Sequence, residues 1–168
     1  MTNQTEVYTK TLKRVLQYLS HRDRSEYEIT KTIDKYLNKT ETPADKKTAI
    51  TNALLEKLKD LRLMDDSKLA ESYILDVINS TKPKGSLAIK AYLYKKGIPK
   101  DIIKTALEKD YPENTEIILA TKVATKFWQR MDTNKLFVSK KKLISHLKTK
   151  GFNPNIIYTA VDVITKKD

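Results

Sequence analysis

Two segments of the chain, 93–107 and 147–161, align with each other at a constant offset. Each contains a leucine, a Lys-Gly pair, an Ile or Phe directly after the glycine, and four apolar residues at helical spacing beyond it. A looser copy lies near the amino terminus. Small units that cannot bury their apolar faces alone must stack against neighbours, so this repetition favours an array of structural repeats.

Signals for helix starts divide the chain into short helices. Ser25 and Glu28 have the spacing of a capping box, which predicts a helix that begins directly after Ser25. Thr42 followed by Pro43 predicts the start of a third helix, with the threonine as its cap. Ser139 is predicted to cap the eighth helix.

The apolar residues between these signals recur at the spacing of amphipathic helices, and no stretch alternates with the period of a β-strand. Gly97 predicts the end of the fifth helix. We therefore expect an all-α fold of three tandem three-helix repeats, packed into an elongated, curved array. The predicted repeats span residues 7–64, 65–111 and 112–168. On the first and third helices, the residues expected to face the core are Leu12, Val15, Leu16, Leu19, Ile50, Ala53, Leu54, Leu58 and Leu61.

The residue composition gives little support for catalysis. The chain has three glycines and no cysteine, so neither a phosphate-cradling glycine loop nor a thiolate metal site can form. His21 and His146 lie far apart in the sequence, which gives a zinc site poor support. Asp65 and Asp66 can bind a metal ion in principle, but a helix cap with a first-turn acid is the favoured interpretation. We expect a protein that is not an enzyme and carries no metal or cofactor.

The charge balance indicates an acidic partner. The formal net charge is +12, while the apolar runs are short and the amino-terminal residues resemble no signal peptide. The absence of cysteine makes a reducing, intracellular setting the default. A surplus of this size favours a nucleic acid, an acidic protein face or an anionic membrane surface as partner.

Three consecutive lysines stand out in the third predicted repeat. If Ser139 is the cap, Lys140, Lys141 and Lys142 lie in the first turn of the eighth helix, where the helix dipole is already positive and added cations are unfavourable. Between Asp132 and Asp162 the chain has no acidic residue. Lysines in such a place favour a role in binding an anion.

The matching positions of the first two repeats are also basic. Arg22 and Arg24 precede the second helix, and Lys82 and Lys84 precede the fifth. Cations beside the unpaired amides of a helix start form an anion site, so each repeat is predicted to present one. The alternative is that these side chains are only the solvated surface of a basic protein.

Two tyrosines lie among lysines on the fifth helix. Tyr92 and Tyr94 alternate with Lys90, Lys95 and Lys96, a pattern that suits base stacking combined with phosphate contacts. The favoured interpretation is that the rings are partly buried while the hydroxyls stay hydrated.

Several short motifs recur in a fixed order along essentially the whole chain. Their residues are Leu19, Arg22, Asp23, Arg24, Ser25, Glu26 and Glu28, then Leu63, Met64, Asp65, Asp66, Ala70 and Tyr73, then Lys84 and Gly85, then Leu93, Lys96, Gly97 and Ile98. These motifs resemble those of the RecX regulators of the RecA recombinase, with Ile29 in place of the family's usual leucine and Leu69 in place of its usual aromatic residue. The resemblance implies an array of three-helix repeats, a cytoplasmic protein without a cofactor, and binding to RecA filaments on single-stranded DNA that is mostly inhibitory.

The resemblance and the charge pattern together give one functional hypothesis. A monomer binds the RecA filament through its basic face, with single-stranded DNA as a further candidate ligand, and thereby regulates DNA repair, recombination and the SOS response. Of the expected contacts, only Arg22, Arg24, Lys84 and Lys96 fall on motif positions. The full set of expected contacts is Arg22, Arg24, Lys82, Lys84, Lys95, Lys96, Lys140, Lys141, Lys142, Lys148 and Lys150.

Two other functions fit the same sequence. A general nucleic-acid-binding protein without a dedicated protein partner binds naked DNA tightly and with a steep dependence on salt. A passive helical adaptor binds neither DNA nor RecA. Titration against single-stranded DNA, with and without RecA and a nucleotide, separates the three hypotheses.

Overall fold

The computed structural model describes residues 4–131 and 136–165. None of the described residues forms a β-strand, so the predicted all-α class is confirmed. The described helices are α1 (Gln4–Leu19), α2 (Glu26–Leu37), α3 (Ala44–Asp60), α4 (Asp66–Asn79), α5 (Ser86–Lys95), α6 (Lys100–Asp110), α7 (Glu113–Trp128), α8 (Leu136–Thr149) and α9 (Pro154–Thr165).

The start of α2 is the one that the sequence specifies most fully. The Ser25 side chain accepts a hydrogen bond from the Glu28 amide, and the Glu28 side chain accepts one from the Ser25 amide, so the predicted capping box is confirmed. The start of α3 lies one residue later than predicted. Pro43, not Thr42, is its cap residue, and no side chain caps the helix there.

The prediction for α8 was wrong by a full turn. The helix begins at Leu136, so Ser139 is a buried residue within it and not its cap. A Pro and a Gly lie just ahead of α5, whereas neither residue type occurs just ahead of Ser139. The backbone can therefore stay helical through residues 136–139. As a consequence, Lys140, Lys141 and Lys142 lie beyond the first turn, and the argument from the helix dipole does not apply to them.

The chain forms two compact units. The first unit contains the residues up to Leu69 together with Lys96–Pro99. Helices α1, α2 and α3 pack against one another there, around a core of Val7, Val15, Ile29, Ile33, Leu37, Ile50, Leu54, Leu58 and Met64. Leu12 and Leu19 pack at the edge of this core. Leu16 (39% exposed), Ala53 and Leu61 were wrongly assigned to the core. They lie at the margin of the apolar helix face, where a small rotation of the helix about its axis decides whether a side chain is buried.

The second unit contains Ala70–Lys95 and the residues from Lys100 onward. Helix α7 packs against α9 and α8, and α5 packs against α6. Its buried apolar residues include Ile74, Ile89, Leu93, Ile103, Leu119, Val123, Trp128, Leu143, Leu147, Phe152, Ile156 and Ile157. The boundaries of the three repeats and the curvature of the array stay predictions. Among residues 4–131 and 136–165, no helix is both long and apolar enough to cross a membrane.

Candidate nucleic-acid interface

In the first unit, the start of α2 is occupied by partners from distant parts of the chain. The Ser25 hydroxyl donates to the carbonyl of Lys96, next to Gly97. The Glu26 amide donates to Asp66 Oδ1 at 2.9 Å. Asp66 therefore caps α2, while Asp65 caps its own helix by accepting from the Lys68 amide. The predicted helix cap followed by a first-turn acid is confirmed for α4, with Asp65 as the cap, whereas the bond from the Glu26 amide to Asp66 was not predicted.

In the second unit, the start of α5 is held in the same way. The Gly85 amide donates to the carbonyl of Lys150, next to Gly151, and the Leu87 amide donates to the carbonyl of Gly151, each at 3.0 Å. The Ser86 amide and hydroxyl both donate to Glu116 Oε1, at 2.9 and 3.0 Å. A glycine turn and a carboxylate thus satisfy the start of a second helix in each unit.

These contacts overturn the prediction of anion sites at the starts of α2 and α5. The prediction required unpaired backbone amides. The Glu26 and Ser86 amides already donate to carboxylates, and an incoming anion would be repelled by the same carboxylates. The basic residues near these helices must therefore be judged by their own contacts.

Three of the expected contact residues converge on Glu28 in the first unit. Lys96 Nζ lies 2.8 Å from Glu28 Oε1, Arg22 lies 3.0 Å from it and Arg24 lies 3.9 Å from it. The Arg24 guanidinium also covers the ring of Tyr18 at 4.0 Å. Only 13% of the Arg24 side chain and 18% of the Lys96 side chain are exposed. Arg24 and Lys96 thus stabilise the unit, whereas Arg22 remains accessible to a ligand.

The protonation of Glu28 reflects this cluster. Burial acts to raise the pKa of Glu28, but the hydrogen bond from Lys96 and the charges of Lys96 and Arg22 outweigh it, so the pKa is lowered from its ordinary value. A lowered pKa in the folded state stabilises the protein above the unfolded-state pKa. That contribution is lost as the pH falls through the folded-state pKa.

Replacing Lys96 by Ala is therefore expected to reduce the free energy of unfolding by about 1–2 kcal/mol at neutral pH. Arg22 and Arg24 stay near Glu28 and limit the loss. The difference from the wild type should shrink as the pH falls below the lowered pKa of Glu28, which urea unfolding at a series of pH values measures. Replacing the exposed neighbour Lys95 by Ala is the control. A K96A variant as stable as K95A would mean that Lys96 has no structural role.

In the second unit, one expected contact residue, Lys84, lies beside a pair of stacked tyrosines. The rings of Tyr73 and Tyr92 stack with centroids 4.0 Å apart and planes 15° apart. The Lys84 ammonium lies 3.5 Å from the Tyr73 hydroxyl, and the Lys84 carbonyl accepts a hydrogen bond from Tyr111. Lys84 and Tyr92 are exposed, and so is Lys95 at the end of α5.

Four cations line a groove of about 320 Å³ in the second unit, here called the basic groove. Lys82 and Lys150, both predicted contacts, line it together. Lys126 and Arg130 also line it. No residue among the described ones that line the groove is acidic. Its complete lining is Thr81, Lys82, Pro83, Val123, Lys126, Phe127, Arg130, His146 and Lys150.

His146 and Phe127 form the aromatic part of the basic groove. Their rings stack with centroids 4.2 Å apart and planes 14° apart. Burial, and then the charge of Lys150, lowers the pKa of His146 from its ordinary value, so the neutral form is favoured. The groove therefore combines permanent cations with one group that can gain a proton.

Sequence reasoning missed three residues of the basic groove. Lys126 and Arg130 lie one turn apart near the end of α7 and flank Phe127, which is half-buried. This spacing was the available signal. His146 had been considered only as a zinc ligand.

The remaining predicted contacts lie on α8. Lys141, Lys142 and Lys148 are exposed, and Lys140 is half-buried. The Lys141 ammonium covers the ring of Phe137 at 4.5 Å, and Phe137 itself is 70% exposed. The second unit thus carries the basic groove and a lysine-rich helix, whereas the first unit carries the cluster around Glu28.

Comparisons with known proteins agree on one family. A family model described as the second three-helix domain of RecX matches residues 65–107. A crystal structure of RecX from Lactobacillus salivarius is 30% identical in sequence and superimposes with a TM-score of 0.79. That alignment covers 96% of this chain and 98% of the other.

A second crystal structure, of a regulatory protein RecX, is also 30% identical, with a TM-score of 0.77 over 94% of this chain and 74% of the other. The regulatory protein RecX of Listeria monocytogenes serotype 4a (strain HCC23) is 31% identical over 164 residues, which are 98% of this chain and 57% of that protein. The one from Limosilactobacillus reuteri (strain DSM 20016) is 33% identical over 147 residues, 88% of this chain and 52% of that protein. The chain thus spans little more than half the length of these curated relatives.

Proposed function

This chain belongs to the RecX family, and we propose that it is a regulatory protein that binds RecA filaments on single-stranded DNA. Its main effect is to restrain the recombinase, ATPase and coprotease activities of RecA in DNA repair, recombination and the SOS response. The protein acts by binding and not by catalysis.

The observation that carries this proposal is the concentration of cations in the second unit. Four lysine or arginine residues line the basic groove: Lys82, Lys126, Arg130 and Lys150. Helix α8 carries four more lysines: Lys140, Lys141, Lys142 and Lys148. A nucleoprotein filament presents phosphates and carboxylates, and a cluster of cations attracts both.

The lysines of α8 give the most direct test of the proposal. Replacing Lys140, Lys141 and Lys142 by Ala removes three charges, and alanine favours the helix, so the fold should be kept. We expect inhibition of DNA-stimulated RecA ATP hydrolysis to require about tenfold more protein, because these contacts contribute to binding of the filament. Circular dichroism of the variant should match that of the wild type.

A matched control variant has the same net charge as the α8 triple variant. Lys35, Lys39 and Lys46 are exposed residues of the first unit, and replacing all three by Ala removes an equal charge from a surface without a proposed role. This control should inhibit RecA as well as the wild type does. Equal inhibition by the two triple variants would exclude the α8 lysines from the interface.

A general nucleic-acid-binding protein remains the second candidate, because the basic groove combines cations with an aromatic stack. In that case, affinity for a single-stranded oligonucleotide should be the same with and without RecA, and should fall steeply with salt. Tighter binding to RecA-coated than to bare strands, in the presence of a nucleotide, favours the first proposal. A passive adaptor binds neither.

A further inference from the structure

The basic groove has the residue types of a phosphate-binding site. Four cations from separate parts of the chain line one small groove. Lys82 lies in the loop before α5, Lys126 in α7, Arg130 two residues after α7 and Lys150 directly after α8. The described residues of the lining include no carboxylate that would neutralise them, in contrast to the Glu28 cluster of the first unit. Charge-assisted hydrogen bonds from lysine and arginine are the usual means of holding phosphoryl oxygens.

His146 adds a group that can respond to the anion. One face of its ring is covered by Phe127, which restricts the ring orientation. The ring also lines the groove beside Lys150. A histidine in this position can donate a hydrogen bond to a phosphoryl oxygen, and the aromatic face of Phe127 favours the cationic form of the ring.

We propose that the basic groove binds a phosphoryl group and that His146 takes up a proton when the anion enters. This inference rests on the proposed function and deepens it, since it names the chemical group that one part of the interface recognises. Nucleic-acid backbones and free polyphosphates both carry that group.

The charges around His146 fix the direction of the effect. Without an anion, partial burial and Lys150 disfavour a second charge, and the pKa of His146 is lowered. The charged groups that line the groove together with His146 are Lys82, Lys126, Arg130 and Lys150, all of the same sign. A bound phosphoryl group brings opposite charge and must raise the pKa of His146. By linkage, binding strengthens as the pH falls between the bound-state and free-state values.

Proton NMR can test the proposal directly, because the chain has only two histidines. In a protein in which His21 is replaced by Gln, the one remaining imidazole C2 proton reports on His146. We expect the His146 pKa to rise by about one pH unit when a saturating thymidine oligonucleotide or tripolyphosphate is added. A midpoint that stays unchanged with both ligands overturns the proposal.

The affinity should change in parallel. One proton taken up per anion makes binding about 3- to 10-fold tighter at about pH 5.5 than at about pH 8. The H146Q variant should bind with the same affinity at the two pH values, whereas R130A should weaken binding at both pH values and keep the difference between them. If H146Q keeps the full pH dependence, another group takes up the proton and the proposal is wrong. Calorimetry in two buffers of different ionisation enthalpy counts the protons.

The two ligands distinguish the source of the phosphoryl group. A His146 response to the oligonucleotide alone assigns the groove to the nucleic-acid backbone, and a response to both assigns it to phosphoryl groups in general. RecA inhibition separates this inference from the proposed function. Wild-type protein that inhibits RecA and shows the His146 response supports both, whereas wild-type protein that shows the response but never inhibits RecA removes only the proposed function. Inhibition of RecA without a His146 response removes only this inference.

Discussion

Replacing Gly85 by Ala is expected to lower the free energy of unfolding by about 3 kcal/mol or more. A Cβ atom at position 85 would clash with Phe152 Cα, the Gly151 carbonyl oxygen and the Phe152 amide nitrogen. These are backbone atoms, so they cannot move aside by a rotamer change. Relieving the clash must separate the start of α5 from the glycine turn and stretch the bonds from the Gly85 and Leu87 amides to residues 150 and 151.

The effect at Gly85 is steric and does not depend on its backbone angles, since only Gly97 and Gly151 among the glycines have a positive φ. The first unit supplies the control. Ser25 occupies the equivalent cap position, and there a Cβ is accommodated because the side chain itself bridges to the Lys96 carbonyl. Ser25→Ala should therefore cost about 1 kcal/mol, the loss of a cap. Urea unfolding measures both, and a G85A variant within about 0.5 kcal/mol of the wild type would contradict the close approach.

The features that the sequence predicted well are local ones. The capping box of Ser25 and Glu28 involves residues three apart, so no knowledge of the rest of the fold is needed. Gly97 ends a helix because its φ of 76° is one that other residues rarely adopt, and Gly151 repeats this with 77°. Apolar spacing likewise placed four residues in the core where the structure has them: Val15, Ile50, Leu54 and Leu58.

The features that it missed depend on partners far along the chain. Asp66 lies 40 residues from the Glu26 amide that it caps, and Glu116 lies 30 residues from Ser86. Only the fold brings each carboxylate to its amide. Because these amides are unpaired within their own helix, the sequence analysis wrongly expected them to be available for a ligand. The prediction for the start of α8 was wrong for a similar reason. A serine can cap a helix or lie buried inside it, and the local sequence does not decide between the two.

Net charge predicted an acidic partner but not where each cation lies. Arg24 and Lys96 belong to a mostly buried cluster around Glu28, although they carry the same charge as the accessible lysines. The basic groove is assembled from residues 81–83, the second half of α7 with the residues just after it, and the end of α8 with the residue that follows it. These segments are separate in sequence, so a pattern is visible only within one segment, as for Lys126 and Arg130 or for His146 and Lys150.

Loss of the Glu116 side chain is expected to destabilise the starts of two helices at once. It is only 5% exposed, and its Oε1 atom accepts bonds from the Ser86 amide, the Ser86 hydroxyl and the Asn153 amide, the last at 3.1 Å. The carboxylate therefore caps α5 and the residue that precedes α9. Its negative charge also suits both helix starts, where the dipoles are positive.

Replacing Glu116 by Ala is expected to reduce the free energy of unfolding by about 3 kcal/mol, because it leaves buried donors without an acceptor and adds a cavity. Glu116→Gln keeps one acceptor oxygen but loses the charge, so it should cost about half as much. Glu113→Ala, at an exposed position one turn earlier on α7, is the control and should cost less than about 0.5 kcal/mol. Amide hydrogen exchange should show faster exchange at Ser86 and Asn153 in E116A, because both donate to the deleted carboxylate. Unchanged exchange at these two amides would mean that solvent or another residue replaces Glu116, and that this carboxylate does not join the two helix starts.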